Sequence, residues 1–141
     1  MKCFLLLFFI GCYSLMLAQA PDGFPSTFTA SGNGNWNTVT WSLIAGADPD
    51  GPDGDDLVII NGNSITVTAD VGFGRLEYNA TGAAQPALTV NSGVSLVGNN
   101  AVLDGGIIIT ANGAVFGEKT ITFNIDGGTV SCLSLDLTTT K

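Results

Sequence analysis

From Leu57 to Leu137 short apolar runs alternate with turn residues. The runs are LVII, SITV, RLEY, ALTV, VSLV, GIIIT, AVF, ITFNI and TVSCLSLDL. Between them lie NGN (61–63), NSG (91–93), DGG (104–106), ANG (111–113) and a second DGG (126–128). Short β-branched runs punctuated by Gly and Asn predict strands. No 3.6-residue apolar period follows residue 20, so helices are not expected. Alternation sets Val94 and Leu96, Ala114 and Phe116, and Ile121, Phe123 and Ile125 on one face. Ser95, Thr122 and Asn124 then fall on the other, because successive strand side chains point to opposite sides.

The turns repeat as well. Gly93 in NSG is answered by Gly113 in ANG, and Asp104-Gly-Gly by Asp126-Gly-Gly. Inward apolar and outward small polar side chains at a period of roughly 20 residues predict an all-β, right-handed parallel β-helix (β-solenoid) segment. Residues 57–137 have room for about four rungs. An antiparallel β-sandwich is the alternative, since it also uses short strands and regular turns. The stretch 80–86, ATGAAQP, reads as a loop bulging from one rung.

Ahead of the strands stand two different segments. Residues 1–20 carry one basic residue, Lys2, then an apolar run ending in small residues. That is the pattern of a secretory signal peptide, cleaved after Ala18 or Ala20, and it places the protein outside the cell or at its surface. Lipidation at Cys12 is a weaker alternative, because the apolar run continues past it. Residues 21–56 are polar and rich in Gly, Asn and Pro, with two tryptophans, and read as an N-terminal cap and lead-in turn. Residues 138–141 are expected to be an unpaired, truncated end. An end with no polar cap exposes apolar core and strand edges, so downstream rungs of the same chain, or association through that end, are expected.

Charge narrows the partners. The chain has 12 acidic and 4 basic side chains; without Lys2 the formal charge is about −9. Such a surface repels phosphate backbones and anionic lipid, so neither nucleic acid nor a membrane is an expected partner. No membrane span is expected once the leader is removed. Of three cysteines only Cys132 lies beyond the leader, so no internal disulfide is available. Its neighbours in TVSCLSL mark it as a small buried hydrophobe.

One stretch carries a resemblance. GNWNTVTW, a Pro/Gly/Asp segment and then GDDLVIINGNSITVTAD resemble the N-terminal region of large secreted bacterial parallel β-helix surface proteins. There a Trp-containing segment precedes the first rungs. The same stretch is similar to the start of the G8 domain, a glycine-patterned extracellular module. The specific part covers residues 36–70. It implies a surface or extracellular protein, structural or adhesive, with surface polysaccharide or protein as partner.

Candidate chemistry is sparse. Five of the twelve acids, Asp48, Asp50, Asp53, Asp55 and Asp56, fall within nine positions. Pro49 and Pro52 limit regular structure there, and Gly51 and Gly54 permit positive φ, so a turn is expected. Asp55 and Asp56 precede Leu57, where a carboxylate can accept backbone N–H groups left free at a strand start. Calcium at these five aspartates is the second reading, since crowded carboxylates repel one another unless screened. The spacing is not that of an EF-hand: Pro52 and Ile59 stand where ligands are needed.

The absence of histidine removes Ser-His-Asp triads and His general bases. Asp104 and Asp126 remain as weak catalytic candidates: stacked on neighbouring rungs, two carboxylates could act on a glycan, or both could be turn residues. Trp36 and Trp41 could stack on a sugar ring or cover the open end of the first rung. The expectation is therefore a non-enzymatic structural or adhesive segment. A glycan- or calcium-binding module is the first alternative, and a fragment of a polysaccharide-active enzyme the second.

Overall fold

The computed structural model describes residues 22–81, 85–99, 103–112 and 122–140. The expected leader therefore lies outside the described residues, as do Gly113, Ala114, Phe116, Ile121 and the middle of the expected bulge at 80–86. Thirteen strands are present among the described residues: β1 (Thr27–Ala30), β2 (Gly34–Asn35), β3 (Trp41–Ala45), β4 (Leu57–Asn61), β5 (Ile65–Val67), β6 (Val71–Phe73) and β7 (Arg75–Ala80). They continue with β8 (Ala87–Val90), β9 (Ser95–Gly98), β10 (Ile107–Asn112), β11 (Thr122–Ile125), β12 (Thr129–Ser131) and β13 (Leu135–Thr140). No helix occurs among the described residues.

These strands form three sheets, ordered β13-β10-β7-β4-β1-β3, β11-β8-β5-β2 and β12-β9-β6. From β4 onward the chain visits the three sheets in rotation and returns to each at every third strand. Among the described residues all strand pairings are parallel except β1 with β3. The antiparallel sandwich is thereby excluded. A parallel pair cannot be closed by a hairpin, and the rotation supplies the long return that it needs.

Register turns the alternation of the sequence into apolar columns. Phe28, Val58, Leu76, Ile107 and Leu135 are successive partners across the six-stranded sheet. Ile65, Leu88 and Phe123 form a column in the second sheet, and Val71, Leu96 and Val130 one in the third. All three inner faces feed one core, which contains Val58, Ile60, Ile65, Val67, Val71, Phe73, Leu76, Tyr78, Leu88, Val90, Leu96 and Ile107. Each fully buried aliphatic side chain contributes about 1.5–3 kcal/mol by leaving water. Cys132 packs half-buried against this core. Outward positions stack polar groups instead: Asn35, Thr66, Thr89 and Asn124 are in register.

Two expectations change. β1 and β2 already belong to the parallel sheets, although they lie in the segment read as cap and lead-in turn. TFTA and GN are too short, and too weakly apolar, to announce a strand. The period also differs. Leu57 pairs with Arg75, whereas Leu88 pairs with Phe123, roughly twice as far along the chain. The two look-alike Asp-Gly-Gly turns therefore do not stack on each other: the Gly105 N–H donates to the Gly74 carbonyl, and the Gly105 carbonyl accepts from Leu133. The Gly93 N–H in turn donates to the Gly127 carbonyl at 3.2 Å.

Candidate functional site

The connection between β3 and β4 is built around Ser26, which ends the segment leading into β1. Its N–H donates to Asp56 Oδ1 at 2.7 Å, and its carbonyl accepts the Leu57 N–H at 2.9 Å. Its hydroxyl oxygen accepts the N–H groups of Ala47 and Asp48, both at 3.2 Å. Asp56 also accepts the Asp53 N–H through Oδ2 at 2.8 Å. One carboxylate thus holds its own turn and the neighbouring strand start, as a parallel edge requires for its free N–H groups. On the opposite side the Asp56 carbonyl accepts from Gly74 and Arg75, at 2.9 and 3.0 Å.

Around this hub four of the five clustered aspartates are buried, Asp48, Asp53, Asp55 and Asp56, while Asp50 is exposed. Gly51 takes the left-handed conformation at φ 97°; Gly54 does not. The five do not converge on one point. Asp48 Oδ1 accepts the Asp50 N–H at 2.7 Å, and the Asp56 carboxylate is occupied on both oxygens. The close group is instead Asp22, Asp53 and Asp55, one carboxylate oxygen of each lying within 4.8 Å of the others. Asp22 was not legible as a member, because parallel pairing of β1 with β4 alone brings it there.

Backbone contacts reinforce the approach. Asp22 N–H donates to Asp53 Oδ2 at 3.1 Å and Gly23 N–H to Asp55 Oδ2 at 3.2 Å. Burial, followed by the hydrogen bond with the Asp55 side chain, pushes the Asp53 carboxyl up to about 7. Burial also raises Asp56, to about 6, against the lowering effect of the N–H groups of Asp53 and Ser26. An ionised carboxylate is stabilised by water that these positions lack.

The two weak catalytic candidates are not brought together. Asp104 precedes β10 of the six-stranded sheet, whereas Asp126 lies between β11 and β12, at a junction of the other two sheets. Asp104 Oδ2 meets Arg75 Nη2 at 2.8 Å, and Oδ1 accepts the Gly106 N–H at 3.0 Å in a local turn. Asp126 stacks beside Val90, to whose carbonyl its N–H donates at 3.0 Å. The two Asp-Gly-Gly turns look alike because both need a tight corner, not because they adjoin.

The tryptophans divide. Trp36 is 2% exposed, which leaves little ring face for a sugar and weighs against the glycan-stacking alternative at that residue. It packs on the core beside Trp41, with ring centroids 5.0 Å apart. Trp41 is half-buried and donates its indole N–H to the Trp36 carbonyl at 2.8 Å. It lines an open cleft of about 240 Å³ with Trp36, Asn37, Asp50, Gly51 and Pro52.

No family model, curated protein or solved structure matches the chain.

Proposed function

We propose that the chain is a structural, adhesive segment of an exported bacterial surface protein, wound as a right-handed parallel β-helix behind an N-terminal cap. The rotation of successive strands through three parallel sheets supports the winding, and strand–crossover–strand connections are right-handed in nearly all proteins. The resemblance of residues 36–70 to secreted surface β-helix proteins, and the apolar leader, support the location.

The observation that carries the role is the fate of the apolar columns at β13. Leu135 continues the column of Val58, Leu76 and Ile107, which are 0, 0 and 1% exposed, yet it is itself 55% exposed. Leu137, Leu133 and Ile125 are 70, 65 and 54% exposed. Core-register leucines on a strand that pairs along one side only among the described residues are a surface to be covered, by further strands of the same chain or by a surface partner. Such a segment serves by length and contact, not by turnover.

Sedimentation of the isolated chain beside Leu135→Lys/Leu137→Lys tests this. The expected result is concentration-dependent association of the parent that the double variant loses while keeping its β circular dichroism. A parent chain that stays monomeric at about 100 μM, where weak edge contacts already associate, overturns the reading.

A further inference from the structure

We propose that Asp22, Asp53 and Asp55 form a calcium site that ties the segment before β1 to the turn before β4. Three observations carry it. First, Asp22 and the Asp53–Asp55 turn are distant in the sequence, yet the three carboxylates bring one oxygen each within 4.8 Å of the others. Calcium holds oxygens at about 2.3–2.6 Å, so ligands on opposite sides of one ion stand about 4.6–5.2 Å apart, and this group fits around it. Second, Asp55 is 0% exposed, and its Oδ1 is buried with no hydrogen-bond donor. An unpaired buried carboxylate oxygen is costly, and a cation bound there removes that cost at Asp55. Third, Arg75 is the only Lys or Arg among the described residues, and its guanidinium is engaged by Asp104.

The donor set selects the ion. All three ligands are carboxylate oxygens, with no nitrogen or sulfur, which suits a hard cation and not zinc or copper. Magnesium demands near-ideal octahedral geometry and gives up water reluctantly, whereas calcium accepts irregular shells of six to eight oxygens. Asp22 is exposed and forms the open side, through which the ion enters and water completes the shell. Asp48, Asp50 and Asp56 stand outside the close group of three, although each lies on the same turn. The site is independent of whatever covers β13.

The test is calorimetric titration of calcium chloride, and separately magnesium chloride, into the full chain after dialysis against EGTA. Saturable one-to-one calcium binding is expected, in the range of about 10⁻⁵–10⁻³ M spanned by the weaker sensor and extracellular sites, with magnesium about tenfold weaker or more. Asp22→Asn, at an exposed position that leaves the fold intact, and Asp55→Asn each weaken it about tenfold or more, because affinity follows ligand charge. Asp50→Asn changes it less than about twofold, since a neighbouring charge acts only through screened attraction. Three results overturn the proposal. They are no saturable heat up to about 10 mM calcium, equal loss in Asp50→Asn and Asp22→Asn, or equal affinity for magnesium.

Discussion

The Asp56 carboxylate accepts the Ser26 backbone N–H at 2.7 Å, joining residues 30 positions apart at the start of two parallel strands. Its other oxygen takes the Asp53 N–H. Removing the carboxylate leaves two buried donors unpaired. Hydrogen bonds to a charged acceptor contribute about 1.5–3 kcal/mol each, partly offset here by the cost of burying the charge. Asp56→Ala is expected to cost about 2–4 kcal/mol, and Asp56→Asn, which keeps one acceptor and drops the charge, about half as much. Urea unfolding at pH 7.5 measures both; a larger loss for Asn than for Ala refutes the account.

Acid should stabilise the metal-free fold. Asp53 rises from 3.8 to about 7 and Asp56 from 3.8 to about 6 on folding, chiefly through burial. The folded chain therefore holds more protons than the unfolded chain between those values. Where the native state binds more protons, stability falls as pH rises. In EGTA the melting temperature is expected to drop from pH 5 to pH 8. The acids facing Asp53 are Asp22, Asp55 and Asp56, and Asp53→Asn should flatten the slope. A melting temperature that climbs over this interval is the contrary outcome.

Gly74 illustrates how tightly the turn is packed from the other side. A Cβ on it would sit 2.8 Å from the backbone carbon of Asp55 and 2.9 Å from its oxygen. Backbone cannot swing aside as a flexible side chain can, so Gly74→Ala is expected to cost about 1–3 kcal/mol, the range of an overpacked core. Gly32→Ala, with open space around the added carbon, serves as the control and should cost less than about 1 kcal/mol. Equal unfolding midpoints for the two variants would contradict this packing.

Much of the strand pattern was legible because alternation is local. Ile65 and Leu96 fall inward and Thr66 and Asn124 outward, as period-two reading places them. The stacking interval was not legible. A longer connection widens one corner without disturbing the strands on either side. The interval therefore nearly doubles between the Leu57–Arg75 and Leu88–Phe123 pairs, and no fixed repeat survives in the sequence. The turn role of Asp56 follows from its place before Leu57, but its partner Ser26 does not, since the two are 30 positions apart. Asp22 is hidden for the same reason. A site assembled by parallel pairing leaves no spacing motif behind.

The column through Phe28, Val58, Leu76, Ile107 and Leu135 separates residue type from residue environment. Leu76 and Leu135 are chemically identical and occupy the same register, but one is 0% and the other 55% exposed. Truncation of a buried leucine removes transfer energy and leaves a cavity, so Leu76→Ala is expected to cost about 2–5 kcal/mol. At Leu135 most of that surface is already wet, and Leu135→Ala should cost less than about 1 kcal/mol in the dilute monomer. The comparison changes under association: if β13 is the covered edge, the cost at Leu135 grows with protein concentration while that at Leu76 does not, because only the former is linked to self-binding. Denaturant curves at low and high protein concentration resolve the two, and a concentration-independent Leu135 difference would leave β13 as a bare edge.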